Sequence, residues 1–254
     1  MLDFTLETYK ELLTVLESEN YKFQTFEKFV NENSSDKIVI LRHDVDRAPA
    51  NAVKMALLEN DMGISASYFF RIVDESYDEK SIRKIVDLNH ELGYHYEDLA
   101  LANGNFNNAL ISFENNLEKF RKFYPVKTMC MHGSPMSKWD NRKLWEKFNY
   151  KDCGISAEPY FDLNFDNVFY LTDASRSWNN EAVTLRDKVP SKFDITIRNT
   201  YEIVKLLKQK KMPNQLMIST HPHNWAANGS EWLRIKVWQG AKNQVKKILV
   251  KRNG

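Results

Sequence analysis

The sequence predicts an α/β fold of mostly parallel strands, a distorted (β/α) barrel of about seven units. Three observations predict it. Runs of strand-forming residues alternate with segments of helical apolar spacing, the pattern of βαβ units. The 254 residues match the usual length of one such barrel, and no Pro-, Gly- or Ser-rich linker divides them, so one domain over 1–254 is expected. Five of the six histidines, His43, His95, His132, His221 and His223, stand where a strand run gives out. Parallel β/α folds gather their chemistry at those strand ends.

The first segment, 5–19, reads as a helix because Leu6, Tyr9, Leu12, Leu13 and Leu16 recur at helical spacing. Residues 21–26 alternate ring and polar side chains and read as a short half-buried strand. A turn at Asn33-Ser34-Ser35-Asp36 leads to strand 37–45 and then helix 48–60, which ends near Gly63. Strand 65–72, helix 78–91 and strand 93–97 follow, with His90 in the last turn of that helix, where an imidazolium suits the dipole. After a Gly-Asn loop, Leu110, Phe113, Leu117, Phe120 and Tyr124 form the apolar stripe of helix 107–123. Strand 127–132, helix 140–148, strands 153–157 and 167–172, helix 194–210, strand 215–220 and a closing helix over 230–251 complete the reading.

Composition narrows the function classes. A formal charge of +2 points neither to nucleic acid nor to an anionic membrane surface. The Lys-rich end, Lys242 to Arg252, reads as the wet face of the last helix. Cys130 and Cys153 form no CxxC and no disulfide framework, which suits a reducing compartment. The amino terminus lacks the basic start and apolar stretch of a secretory signal, and no run is long enough to cross a bilayer. A cytoplasmic location is expected, with no nucleic-acid or membrane partner and a small-molecule substrate.

Asp44 and Asp46 are two residues apart, so on a strand they share a face, together with Arg42. Two carboxylates in one pocket repel unless a cation or proton lies between them, an arrangement that suits one metal-binding carboxylate beside one general base. The alternative is a pair of loop aspartates bridged to Arg42 or Arg47. His95 and Glu97 repeat the two-residue step and can face one ion, or His95 can be a buried hydrogen-bonding residue with Glu97 in water. His132, in a tight turn, is a metal ligand, an anion-binding cation or a turn residue. His221 can donate a proton to a leaving group, with His223 orienting it or capping the loop on the substrate side. Asp173 and Arg176 form a pair that can orient His221, or an ordinary bridge. Arg71 is a candidate for a substrate carboxylate or phosphate. Trp139, Trp178 and Trp225 are either packing or platforms for sugar rings.

Taken in order, these motifs resemble the polysaccharide deacetylase superfamily, of the carbohydrate esterase family 4 type, from about Leu12 to His223. Leu41-Arg42-His43-Asp44-Val45-Asp46 resembles its first motif, which implies Asp44 as base and Asp46 as metal ligand. Asn89-His90-Glu91-Leu92-Gly93-Tyr94-His95 resembles the phrase leading to the first metal histidine, His95. Met131-His132-Gly133-Ser134-Pro135 falls where the family carries an Arg-Pro turn. Asp173 to Trp178 is similar to the segment that tunes the catalytic histidine, and Ile218-Ser219-Thr220-His221 to the motif whose histidine is the acid. The resemblance implies a divalent metal, zinc by preference, and hydrolysis of an amide or ester, an N- or O-acyl group, on a carbohydrate or sugar-derived molecule. One position departs: the second metal histidine, four residues after the first, is replaced by Leu99, leaving Glu97 or His132 as third ligand. Two alternatives remain open, a catalytically silent glycan- or partner-binding relative and a metal-independent cyclic-amide hydrolase on the same fold.

Overall fold

The computed structural model describes residues 2–32, 36–133, 137–179 and 189–240. Three expectations lie outside these residues: most of the turn at 33–36, the Ser134-Pro135 part of the turn after His132, and everything expected beyond residue 240, Lys242 to Arg252 included.

In chain order, the elements are α1 (Leu6–Ser18), β1 (Lys22–Gln24), α2 (Phe26–Asn31), β2 (Ile38–Val45), α3 (Pro49–Asp61) and β3 (Ser67–Phe70). They continue as α4 (Glu79–Asp87), β4 (Glu91–Tyr96), α5 (Asp98–Leu101), α6 (Phe106–Arg121), β5 (Met129–Met131), α7 (Pro159–Asp162), β6 (Phe169–Thr172), α8 (Thr200–Lys208) and β7 (Gln215–Thr220). A helical segment over 229–240 follows.

The strands form one sheet in the order β5-β4-β3-β2-β7-β6, and every pairing is parallel. β1 pairs with Ile38 to Ile40 on the edge of β2 that β3 takes over from Arg42 onward. The sheet curls into a half-barrel ringed by helices, a distorted α/β barrel. A single parallel bridge, Thr128 to Ala157, extends it past β5, and no pairing among the described residues joins that end to β6.

Alternating residues of each strand separate two apolar cores. Ile38, Ile40, Phe69, Cys130, Tyr170 and Met217 fill the inside of the curl. Val39, Leu41, Val45, Tyr68, Leu92 and Ile218 face outward against the helices. All eight residues of β2 are therefore buried, which explains its unbroken Ile-Val-Ile-Leu run. Gly93 lies on the inner face of β4 opposite Phe69, and a Cβ there would collide with the Phe69 ring.

Several elements differ from expectation for identifiable reasons. The aromatic stretch 21–26 gives only a three-residue strand, because Thr25 accepts from Lys28 N and starts α2. α4 stops at Asp87, Asn89 takes a left-handed φ of 61°, and His90 becomes a buried link residue. His90 Nδ1 accepts from Ala66 N at 3.1 Å and its Nε2 lies 3.0 Å from the Ala56 carbonyl, so the ring is a neutral tautomer, not a helix-end cation. Burial, opposed by Glu59, holds its pKa below the ordinary value. The expected helix 140–148 is a 3₁₀ turn over Asn141–Glu146. Strand 153–157 is absent because Gly154, at φ 74°, ends a second 3₁₀ turn, leaving only the Ala157 bridge. α8 begins only at Thr200, where Asn199 caps Glu202 N.

Candidate active site

The inward parity of β2 carries Arg42 and Asp44 up the inside of the barrel, and Asp46 follows just beyond the strand end. Arg42 is fully buried and grips Asp44 at two points, Nε to Oδ1 at 2.8 Å and Nη2 to Oδ2 at 2.5 Å. Its guanidinium faces the rings of Tyr160 and Tyr170. Burial disfavours the Asp44 anion, yet the Arg42 and His95 charges outweigh it and hold the carboxyl below its usual range.

β4 and β5 supply two imidazoles. His95 Nε2 lies 3.4 Å from Asp46 Oδ1 and 3.9 Å from Asp44 Oδ2. His132 Nε2 lies 3.5 Å from the same Asp46 Oδ1. His95 Nδ1 is 3.0 Å from the Cys130 carbonyl, which can only accept, and His132 Nδ1 is 2.8 Å from Glu97 Oε2. Each Nδ1 is therefore a donor, and each ring turns its Nε2 toward Asp46. Asp46 Oδ1 is buried with no hydrogen-bond partner. Two imidazole nitrogens and one carboxylate oxygen thus converge. A tetrahedral zinc at ~2.0–2.1 Å from N and O ligands separates its ligand atoms by about 3.3–3.4 Å, close to the spacings from Asp46. The group Asp46, His95 and His132 fits a divalent cation. A second group, Asp44, His95 and Cys130, is as compact, but Arg42 already occupies both Asp44 oxygens.

β7 delivers His221. Its Nδ1 is 2.7 Å from Asp173 Oδ1, and its Nε2 is 3.9 Å from Asp46 Oδ2. Asp173, which follows β6, is held by more than the imidazole. His221 N donates to Oδ1 at 2.9 Å, and Trp225 Nε1 donates to Oδ2 at 2.8 Å. Burial works against a charged His221, but the Asp173 hydrogen bond and charge, with Asp46 and Asp44 behind them, raise its pKa to about 10.

The half-barrel thus brings Asp44, Asp46, His95, His132, His221 and Asp173 to one mouth. Other candidates sit differently. Glu97 does not face the ligand group with a free carboxylate: Arg71 Nη2 and Nε hold Oε1 at 2.6 and 2.7 Å, and His132 holds Oε2. Arg71 is correspondingly engaged, not open to a substrate anion, and its Nη1 donates to the Asp46 carbonyl at 3.1 Å. Trp178 is 2 % exposed, stacked on Phe4 and bonded through Nε1 to Thr200, so it has no face for a sugar. Trp225 is buried likewise, and its indole N–H serves Asp173. Arg176 leaves Asp173 and lies over the Phe4 and Trp232 rings. Half-buried Trp139 packs on Gly104 with Lys138 over its ring. His223 sets its ring 5.7 Å from that of His221. Sequence reasoning missed the Trp225 contact, because only the loop's fold reveals that its N–H turns inward.

Fold and site together define a β/α half-barrel with a candidate metal-ligand group between an Arg–Asp pair and an Asp–His pair. No family model matches the chain, and no curated protein matches it. Among solved structures it is similar to wild-type BA3943, a CE4 family pseudoenzyme from Bacillus anthracis. That match has 15% identity and a TM-score of 0.45, and covers 83% of this chain and 63% of that one. Two mutants of BA3943 match at the same TM-score. One, with restored enzymatic activity, has 14% identity over 84% of this chain and 65% of that one; the other has 15% identity over 84% and 64%. The chain spans a little under two thirds of the length of these structures.

Proposed function

We propose that the protein is a metal-dependent hydrolase of deacetylase type that removes an N- or O-acyl group from a carbohydrate or sugar-like molecule. One observation carries the reading: the unsatisfied Asp46 Oδ1 faces two imidazole Nε2 atoms beside a second carboxylate and a third, acid-tethered imidazole. Asp46, His95 and His132 would hold the ion, and one carboxylate oxygen with two imidazole nitrogens suits zinc. When bound, such an ion polarises an acyl carbonyl and acidifies a water.

The chain's own groups do the rest. Asp44 takes the proton of the attacking water, and Arg42 fixes that carboxylate from behind while each oxygen keeps a lone pair. His221 gives its Nε2 proton to the departing nitrogen or oxygen. Asp173 fixes the His221 ring through Nδ1 and supports its positive charge. A cytoplasmic setting with a soluble sugar precursor as substrate belongs to this reading. No helix among the described residues is long and apolar enough to cross a membrane.

The test is turnover of acylated sugars with and without added zinc. Asp44→Asn is expected to abolish turnover while keeping the fold and the metal content, with a lower Tm because the buried Arg42 loses its charge partner. Full activity in that variant removes Asp44 from the base role. Wild-type protein that takes up no ion and turns nothing over supports a silent binding relative. Activity that a chelator leaves untouched supports cyclic-amide hydrolysis without metal.

A further inference from the structure

We propose that Glu97, anchored by Arg71, is the positioning residue that makes His132 a metal ligand. This rests on reading Asp46, His95 and His132 as a metal centre. Four consecutive strand ends are tied in a closed ring of contacts. Arg71, after β3, donates through Nη1 to the Asp46 carbonyl after β2 at 3.1 Å. The same guanidinium grips Glu97 Oε1, after β4, at 2.6–2.7 Å. Glu97 Oε2 accepts from His132 Nδ1, after β5, at 2.8 Å. His132 Nε2 returns to Asp46 Oδ1 at 3.5 Å.

Each link has a distinct physical consequence. A carboxylate on Nδ1–H fixes the tautomer, so that Nε2 is the nitrogen left to bind, and it makes that nitrogen a stronger donor. His132 belongs to the loop after the three-residue strand β5, a short support for a ligand that must hold its direction. The two ligand imidazoles solve this differently. His95 is fixed on its strand by a backbone carbonyl, that of Cys130, its partner in the β4–β5 register. His132 has a side chain in the same role, and that side chain needs its own anchor. Arg71 supplies it, and by engaging Oε1 it also keeps Glu97 from swinging in as a fourth ligand. Neither Glu97 nor Arg71 touches substrate or reacting atoms in this scheme.

The experiment is a zinc titration of the full-length protein against a chromophoric chelator, with Co(II) absorption as a second readout of ligand geometry. Glu97→Gln keeps the volume and removes the charge; Glu97→Ala removes the contact. Both are expected to weaken zinc affinity, by roughly 10–100-fold, with Ala the larger loss. Arg71→Lys, which loses the two-point grip, is expected to weaken it by a smaller factor. Histidine ¹H–¹⁵N correlation on the zinc-loaded wild type is expected to show His132 protonated at Nδ1 and bound through Nε2, and it needs no variant to fold. Zinc affinity within twofold of wild type in folded Glu97→Gln and Glu97→Ala, or His132 bound through Nδ1, overturns the proposal and leaves the metal centre standing. Wild-type protein that binds no zinc, like an Asp46→Ala control, overturns both.

Discussion

Leu99 lies in α5 with its side chain fully buried in the outer apolar core. The position that carries a ligand histidine in the resembling family thus points here into helix packing, and in the proposed metal group the second imidazole, His132, comes from the end of β5. Leu99→His is accordingly expected to leave zinc affinity unchanged. An imidazole without partners among apolar side chains costs roughly 2 kcal/mol or more, a fall of about 4–8 °C in Tm for a chain of this size. Calorimetry and a zinc titration of the variant check both halves. Two other residues set the pH profile. Asp44, the proposed base, is held low by Arg42 and His95 against its burial, so its anion persists below the ordinary carboxylate range. His221, the proposed acid, is driven down by burial but lifted to about 10 by Asp173, Asp46 and Asp44, so it stays protonated through neutral pH. Asp44 should therefore contribute an acid limb below the ordinary carboxylate range, and activity should fall on an alkaline limb as pH climbs through the His221 pKa. A bound cation opposes the Asp46 contribution and brings that limb below 10. Asp173→Asn is expected to move the alkaline limb further down, read as kcat/KM against pH. The Asp-Val-Asp and His-Tyr-Glu steps made these faces legible from sequence, because strand parity alone fixes them. The partition between Glu97 and His132 was not legible, since it depends on which side chain Arg71 reaches.

At the scale of elements, α3 is bound to the sheet by a buried acid. Glu59 accepts from Tyr9 at 2.6 Å and Tyr68 at 2.7 Å, and lies 2.8 Å from His43 Nε2. His43 Nδ1 in turn meets Thr220 Oγ1 at 2.6 Å. His43 and Thr220 are the outward-facing neighbours of Asp44 and His221, so this network fastens the backs of the two strands that carry the proposed base and acid. Removing one member strands several buried polar groups, and Glu59→Leu is expected to cost roughly 3–5 kcal/mol in a urea titration. Burial raises the Glu59 pKa, but the His43 charge and hydrogen bond, with His90 and Tyr9, bring it below the usual value. The sign follows: the stabilisation is present above the ordinary carboxylate pKa and is lost as pH falls through the lower, folded value. The urea midpoint of the wild type should drop over that acid range, and that of Glu59→Leu should drop less. Sequence periodicity placed β2, β7, α1 and α6 within a few residues, because long amphipathic or wholly apolar runs leave little choice. It failed at Asn141–Glu146 and α2, where a capping side chain decides between a short helix and a loop, and at α5, a four-residue helix with no side-chain cap.

At the scale of the molecule, convergence is a property of the parallel sheet. Every strand runs the same way, so residues 44, 46, 95, 132, 173 and 221 reach one mouth although they are spread over most of the chain. The alternation of strands and helices made that much readable, whereas the half-open curl follows from the 153–157 segment forming one bridge in place of a strand. The same convergence makes the site a clamp. Its ligands come from the ends of β2, β4 and β5, so an ion held by Asp46, His95 and His132 cross-links three strands in the folded state and has no such site in the unfolded chain. Free zinc at 100 times its Kd then stabilises the fold by ~2.7 kcal/mol. With a Tm shift of about 2–4 °C per kcal/mol at this length, the midpoint should rise by about 5–10 °C. A chelator should reverse the rise in the wild type, and His132→Ala should show neither the rise nor the reversal. Differential scanning calorimetry at matched ionic strength gives the answer directly: equal shifts in wild type and His132→Ala place the ion elsewhere and dissolve the link between this mouth and metal binding.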